Sequence, residues 1–125
     1  GQHVHGFPNL FIVQAAQGAN LISNYPHNLV EGAQTVACLV KHAKEHGFRE
    51  IEVTKAAEDE WMELLKGASP MLIGSTQCTP GYYNNEGKGW DANMAGGGYP
   101  GGPLAFFRYI DQWRTGGGFE GIEFR

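Results

Sequence analysis

Residues 6–20 read GFPNLFIVQAAQGAN. This stretch decides the fold, because we expect the later elements of the chain to pack against it. Pro8 fixes its own φ and biases the residue before it towards extended geometry. The apolar run at residues 10–13 is typical of a strand covered on both faces, as in a parallel sheet. Small residues and the amides of Gln17 and Asn20 follow, and open α/β sheets bind ligands where such strands end. The stretch predicts a buried strand with a ligand loop, and an ordinary strand and loop is the alternative.

Composition limits the class of protein and its partners. The chain has 125 residues, enough for one domain with a core of its own. Its 9 basic and 13 acidic residues give a net charge of -4, which argues against a nucleic-acid partner. The absence of an 18-residue apolar run and of a signal peptide argues against a membrane partner. Cys38 and Cys78 show no CxxC spacing, which favours reduced thiols and a cytoplasmic location.

Hydrophobic periodicity predicts an α+β fold with three main helices and a few short strands. The helices are expected at residues 26–46, 55–66 and 103–114, the second of them capped by Thr54. The apolar stripe of the first helix, which we expect to be buried, comprises Leu29, Ala33, Val36, Ala37, Val40 and Ala43. Residues 48–53 alternate apolar and charged side chains, which predicts a half-buried strand whose charged face meets water. A short strand-like tail is expected at 119–124.

Glycine is concentrated in the second half of the chain, which contains most of its 19 glycines. Turn-forming residues without a sustained period predict a long, aromatic, glycine-rich loop at 75–102. We therefore expect a single domain with four segments along the chain. Its expected segments are a strand and ligand loop at 1–25, a helix-strand-helix unit at 26–74, that loop, and a helix and tail at 103–125.

Short motifs in the chain have simpler explanations than a catalytic or metal site. Two GxGxxG matches, at residues 96–101 and 116–121, lack the strand-to-helix context of a dinucleotide fingerprint. His42 and His46 have the i, i+4 spacing of a metal pair, but cations near a helix C-terminus explain them better. No catalytic residue and no metal site are predicted.

Several features in order resemble the late segment of the flavin-dependent Baeyer-Villiger monooxygenases. GFPNLF at residues 6–11 matches a motif of that family, and nearly the whole chain follows the family pattern. The further matching features are Gln17, the Ser23-Asn24 pair, the acidic-tryptophan run at 58–61, the loop at 82–88, which is similar to Gly-Ala-Asn-x-Pro-Gly-Lys, and the aromatic-Glu-Gly tail at 119–124. The resemblance implies a partial domain of an α/β flavoprotein with two dinucleotide-binding domains.

That family oxidises ketones to esters or lactones with FAD, NADPH and oxygen. By resemblance, residues 15–17 would pass beside the isoalloxazine ring, and the loop around Asn84 would fold over the nicotinamide cofactor. The cofactor-binding residues so implied are Ala15, Ala16, Gln17, Asn84 and Lys88, and the substrate-facing residues are Asn20, Leu21 and Ile22. A loop that excludes water suits the family because a peroxyflavin must be protected.

The chain also departs from the family pattern. Ala15 and Ala16 stand where the family has Gly-Pro, and the sequence contains neither the nucleotide-binding fingerprints nor the catalytic arginine. We therefore expect a C-terminal segment that is not catalytic alone and binds no cofactor alone. Its expected partner is an N-terminal flavin-binding segment. The alternative is a self-associating interaction module, a homodimer that covers residues 10–13.

Overall fold

The computed structural model describes residues 1–14, 17–19, 23–66, 79–81, 86–87 and 98–125. In these residues, three helices and a two-stranded sheet confirm the expected α+β class. The elements in chain order are α1 (Tyr25–His46), β1 (Ile51–Val53), α2 (Lys55–Lys66), α3 (Pro103–Gly116) and β2 (Ile122–Phe124). Most of the predicted loop at 75–102 lies outside the described residues.

Local signals fix both ends of α1 and the start of α2. The side chain of Asn24 accepts a hydrogen bond from the backbone N–H of His27 at 3.2 Å, which caps the first turn of α1. Gly47 ends α1 at φ 77, a left-handed geometry that glycine adopts without strain. Thr54 caps α2 through its hydroxyl, which accepts from Ala57 N–H at 3.2 Å, as the sequence predicts.

The buried face of α1 differs from the predicted stripe. Ala43 is buried as expected, but Ala33, Ala37 and Val40 of that stripe are exposed. The buried residues of α1 are Asn28, Gly32, Thr35, Leu39 and Ala43. The predicted stripe and the buried set both recur at spacings of three and four along the helix. The buried set is the more polar of the two, because its face of α1 contacts β1, α3 and the first fourteen residues.

The sheet is antiparallel, and it contains none of residues 10–13, for which a parallel sheet was expected. β1 pairs with β2 in the register Ile51 to Phe124 and Val53 to Ile122. A core cluster lies beneath the sheet and comprises Leu39, Ala43, Ile51 and Phe119, with Phe11, Cys38, Trp113, Ile122 and Phe124 packed against it. This core joins α1 to the sheet and leaves the other end of the helix for the candidate site.

Residues 10–13 do not form the predicted buried strand. Leu10 is 44% exposed and Val13 is 40% exposed, and the backbone N–H of Ile12 donates to the carbonyl oxygen of Gln2 at 2.8 Å. A strand buried on both faces needs hydrogen-bonding neighbours and covering layers. Within the described part of the chain, no strand lies beside these residues. The apolar run at residues 10–13 therefore lacks the neighbouring strands that a buried strand needs.

Glu52 is buried, although the alternation of residues 48–53 predicts that it faces water. Only 9% of the residue is exposed, and its Oε1 accepts a hydrogen bond from the backbone N–H of Gly6 at 2.7 Å. Arg125 also pairs with the carboxylate of Glu52. The turn at residues 5–9 folds over β1 and covers that face, which a local pattern does not show.

Candidate functional site

Gln17 is the one predicted site residue within the described part of the chain. The other predicted cofactor and substrate residues lie outside it: Ala15, Ala16, Asn20, Leu21, Ile22, Asn84 and Lys88. The backbone of Gln17 has φ 58, which is uncommon for a residue other than glycine and often marks a functional loop. The structure thus describes residues 17–19 of the predicted ligand loop.

Residues 17–19 are held in place by α3 and by the residues just before it. The backbone N–H of Tyr99 donates to the carbonyl oxygen of Gly18 at 2.9 Å. A Cβ at Gly18 would lie 2.7 Å from Cζ of Phe106, so only glycine allows this approach. Residues 17–19 are therefore packed against Phe106 of α3 and Tyr99.

A cavity of 430 Å³ lies between this loop and the three helices. Its volume is within the range of about 300–1,000 Å³ that is typical of small-molecule sites. The lining includes Gln17, Gly18 and Ala19 from the loop. Its aromatic walls are Trp61 of α2 and Phe106, Tyr109 and Trp113 of α3. The cavity adjoins the described part of the predicted ligand loop, and ligand binding there stays a prediction.

Three aromatic rings stack together, and two of them, Trp61 and Tyr109, line the cavity. The ring centroids of Tyr99 and Tyr109 are 5.5 Å apart, and each ring lies within 25° of parallel to the ring of Trp61. Desolvation raises the pKa of the Tyr109 phenol, so this wall is uncharged at neutral pH. Neither Tyr99 nor Tyr109 was predicted from the sequence. Tyr109 lies three residues after Phe106, and this helical spacing was the available signal.

The charged groups around the cavity are acidic and largely paired. Glu31 binds Arg114 through Oε2 and Nη2 at 2.6 Å, and Glu58 accepts from the backbone N–H of His5 at 3.1 Å. Burial lowers the pKa of His3 to about 4, so this imidazole is neutral at pH 7. No lysine or arginine of the described residues lines the cavity. Its walls are therefore neutral or negative.

Trp61, a residue of the cavity lining, carries a buried polar atom. Among the described residues, its indole Nε1–H is buried without a hydrogen-bond acceptor. A buried indole N–H usually finds an acceptor, and an unpaired one needs an explanation. The sequence assigned Trp61 to the packed face of α2, so this free donor was not foreseen.

The second GxGxxG match and the histidine pair have structural explanations. The GxGxxG match begins at the end of α3 and leads into β2, the reverse of a dinucleotide-binding order. The Nδ1 atom of His46 is hydrogen-bonded to the carbonyl oxygen of His42 at 2.9 Å. In the described ranges, no cluster of three or more histidine, cysteine or acidic side chains could hold a metal.

The helices in the described part of the chain were compared with the length and apolar character of a membrane span. None of these helices combines the length and apolar character needed to cross a bilayer.

Comparison with known proteins gives sequence relatives over nearly the whole chain. No profile of a known protein family matches. The chain is 37% identical over 124 residues to the FAD-binding monooxygenase hmp7 of Hypomyces subiculosus, covering 98% of this chain and 20% of that protein. It is 38% identical over 111 residues to a Baeyer-Villiger monooxygenase of Streptomyces coelicolor, covering 88% of this chain and 18% of the relative. The chain thus spans about one fifth of the length of these relatives.

Solved structures show the same fold. The polycyclic ketone monooxygenase of Thermothelomyces thermophila superposes with a TM-score of 0.80 and 26% identity, over 100% of this chain and 20% of that one. An oxidised steroid monooxygenase bound to NADP superposes with a TM-score of 0.76 at 22% identity, over 99% of this chain and 22% of that one. In sequence and in fold, the chain therefore corresponds to the C-terminal segment of the flavin-dependent Baeyer-Villiger monooxygenases.

Proposed function

We propose that this chain forms one wall of the active site of a monooxygenase that uses FAD and NADPH to convert ketones to esters or lactones. The similarity along nearly the whole chain to an FAD-binding monooxygenase carries this proposal. The match to a polycyclic ketone monooxygenase supports a ketone as the substrate. The match to a structure bound to NADP supports the nicotinamide cofactor.

Individual residues take roles in this proposal. Gln17, with Ala15 and Ala16, contacts the flavin ring, and Asn20, Leu21 and Ile22 line the substrate pocket. Asn84 and Lys88 cover the nicotinamide. Support for the first role comes from the left-handed backbone of Gln17 and from its position in the wall of the 430 Å³ cavity. An aromatic, largely apolar wall would help to exclude water from the reacting groups.

The described residues fit an uncharged ring system but not the phosphates of FAD or NADPH. A flat ring can pack against Trp61 and Tyr109, whereas the cavity wall offers Glu31 and Glu58 and no described cation. FAD, when bound, supplies the oxygen-activating chemistry. The pyrophosphate groups need donors from another part of the enzyme, because negative walls repel them. We therefore propose that the chain is not catalytic alone.

The partner in this proposal is the N-terminal flavin-binding segment that the family resemblance implies. Leu10 and Val13 are 44% and 40% exposed, and Val30 of α1 is 51% exposed. Exposed apolar groups of this kind mark a surface that another protein region covers. The two cysteines without CxxC spacing favour the cytoplasm as the location of the complex.

A chimera tests the proposed function. The segment of the Streptomyces coelicolor relative that aligns with this chain is replaced by residues 1–125, and the same relative with its own segment religated serves as the control. We expect the chimera to bind FAD, seen in its visible spectrum, and to oxidise NADPH faster when a cyclic ketone is added. A chimera that binds FAD but shows no ketone-dependent oxidation contradicts the proposal. Ketone turnover by the chain alone would refute the claim that it is inactive by itself.

A second candidate function is self-association as an interaction module. The exposed face of α1 carries Val30, Ala33, Ala37 and Val40 at alternating spacings of three and four, as in a helix-helix seam. Light scattering on the purified chain distinguishes the candidates. A dimer that the double variant Val30→Glu/Val40→Glu converts to a monomer supports self-association, whereas a monomer at about 100 μM, far above a typical stable-dimer Kd, rules it out.

A further inference from the structure

We propose that Phe106 of α3 is a positioning residue, which acts through Gly18 to fix the backbone of Gln17. The role of Gln17 beside the flavin ring comes from the proposed function, on which this inference rests. The contact between Phe106 and Gly18 is a property of the chain itself and can be tested without that function.

The backbone of Gln17 has a conformation that its neighbours must hold. Its φ of 58 is left-handed, which costs free energy in a residue other than glycine. Such a conformation persists only where the surrounding contacts fix it. The side-chain Oε1 of Gln17 accepts from the amine of Gly1 at 2.5 Å, but that bond does not set φ. Contacts at the adjacent Gly18 constrain the backbone beside Gln17.

Gly18 is needed for space and not for an unusual φ. Its own backbone is not left-handed, unlike that of several other glycines in the described part of the chain. A Cβ at residue 18 would lie 2.7 Å from Cζ, 2.8 Å from Cε1 and 3.4 Å from Cε2 of Phe106. Gly18 is buried and Ala19 is only 2% exposed, so this part of the loop is packed on both sides of the contact. The tip of the Phe106 ring therefore sets how closely Gly18 approaches α3.

Three other aromatic rings hold the ring of Phe106 in place. Its centroid lies 6.2 Å from that of Trp61, 5.8 Å from that of Tyr99 and 5.9 Å from that of Phe107. A ring packed among others cannot move aside without displacing its neighbours. Phe106 is therefore a fixed surface against which Gly18 packs.

A row of backbone hydrogen bonds ties Gly18 to the same turn of α3. The N–H of Phe106 donates to the carbonyl oxygen of Gly102 at 3.1 Å, and the N–H of Gly102 donates to that of Tyr99 at 3.0 Å. The N–H of Tyr99 then donates to the carbonyl oxygen of Gly18 at 2.9 Å. The ring of Phe106 limits the approach of Gly18 while these bonds keep it there, so together they fix the backbone next to Gln17.

A compensating pair of substitutions in the chimera tests this role. Leucine lacks the Cε and Cζ atoms that approach Gly18, so Gly18→Ala/Phe106→Leu has room for the added methyl group. We expect Gly18→Ala to shift the visible spectrum of bound FAD and to lower kcat for ketone-dependent NADPH oxidation about tenfold, because Gln17 is displaced. KM for NADPH should change little. The double variant should recover kcat to within about threefold of the chimera with the unchanged chain.

Phe107→Leu is the matched control, because it makes the same change at the next position. The ring of Phe107 packs against His27, with centroids 4.7 Å apart, and it is outside the cavity lining. This variant should leave kcat and the FAD spectrum unchanged, and it should not rescue Gly18→Ala. A folded Gly18→Ala/Phe106→Leu variant as slow as Gly18→Ala, or an equal rescue by Phe107→Leu, would overturn the proposal. Circular dichroism verifies folding of each variant.

Amide hydrogen exchange in the purified chain tests the contact without catalysis. The exchange rate of the Tyr99 N–H, measured by NMR relative to that of Ile51 in the sheet, reports whether the bond to Gly18 is intact. Gly18→Ala should accelerate this exchange about tenfold, and adding Phe106→Leu should restore the rate. Unchanged exchange in Gly18→Ala would contradict the contact. If Gly18→Ala does not fold, a double variant that folds supports the contact, and one that also fails overturns it.

The two readouts separate this inference from the proposed function. An active chimera whose Gly18→Ala variant keeps the same kcat and FAD spectrum leaves the proposed function intact and overturns the role of Phe106. A chimera without ketone-dependent oxidation contradicts the proposed function. In that case, exchange that Gly18→Ala accelerates and the double variant restores still supports Phe106 as the residue that positions the loop.

Discussion

Asn9 pairs with Ile51 through both its backbone and its side chain. The N–H of Asn9 donates to the carbonyl oxygen of Ile51 at 2.9 Å, and the N–H of Ile51 donates to Oδ1 of Asn9 at 3.0 Å. The Nδ2 atom of Asn9 also donates to the carbonyl oxygen of Arg49 at 3.1 Å. A single residue at φ 62 thus occupies the open edge of β1 and anchors the GFPNLF motif to the sheet.

Replacing Asn9 tests this anchor. Asn9→Ala removes two side-chain hydrogen bonds and places alanine at a left-handed φ, so the free energy of unfolding should fall by about 2 kcal/mol. Asn9→Asp keeps the acceptor for Ile51 but loses the amide donor, and it should lose about half as much. Urea denaturation measures both. A loss below about 0.5 kcal/mol for the alanine variant would show that water replaces the anchor.

The stability of the chain should depend on the ionisation of Glu52. The backbone N–H of Gly6, and then Arg125, hold the pKa of this carboxyl below its usual range. The folded-state pKa is therefore below the unfolded value of about 4.3, and the stabilisation is complete above that value and lost as the pH falls through the folded pKa. Glu52→Gln should be less stable than the wild type at pH 7, and this difference should vanish in strong acid.

Denaturation at a series of pH values from neutral to strongly acidic measures the effect. Glu123→Gln is the control, because Glu123 also pairs with Arg125 but its side chain is 56% exposed. This control should change little at any pH. A difference between Glu52→Gln and the wild type that stays constant with pH would refute the role of ionisation.

Close packing of Gly121, the residue before β2, against α2 makes this glycine hard to replace. It has φ +84, and a Cβ there would lie 2.7 Å from Cβ of Ala57. Gly117 has φ +68 but no atom within 4 Å of that position. Gly117→Ala should therefore lose about 1 kcal/mol from backbone strain alone, and Gly121→Ala should lose at least about 3 kcal/mol. Equal losses in thermal denaturation would show that the contact with α2 relaxes freely.

The ion pair between Arg114 and Glu31 links α3 to α1. The side chains are 9% and 16% exposed, and Arg114 also donates to the backbone carbonyl of Glu31 at 3.1 Å. Arg114→Met leaves a largely buried carboxylate unpaired and should cost about 3 kcal/mol. The double variant Glu31→Leu/Arg114→Met should recover much of that loss, because no buried charge is left alone.

An exposed pair gives the comparison for this prediction. Lys41 and Glu45 are 74% and 57% exposed, so Lys41→Ala should change stability by no more than about 0.5 kcal/mol. Chemical denaturation of these three variants and the wild type completes the test. A double variant no more stable than Arg114→Met would mean that the pair contributes packing that the apolar side chains do not replace.

The helices could be predicted closely because their signals are local. Asn24 and Gly47 bound α1, Thr54 caps α2 and Pro103 begins α3, and each acts within a turn of its own position. The candidate site was less accessible to sequence. Gln17 lines the cavity, and its predicted role beside a cofactor stays a prediction. The stacked Tyr99 and Tyr109 come from separate segments that only folding brings against Trp61.

The sequence by itself determined the helix limits, the α+β class and, through ordered motifs, the family likeness. Tertiary structure alone decided which face of α1 is buried, why Glu52 avoids water and whether residues 10–13 form a strand. The physical reason is that caps and periodicity are properties of residues close together in the sequence. Burial and strand pairing depend instead on which residues from distant parts of the chain pack against a segment. Asn9 depends on both, because it belongs to a motif visible in the sequence and, in the folded chain, hydrogen-bonds to the edge of β1.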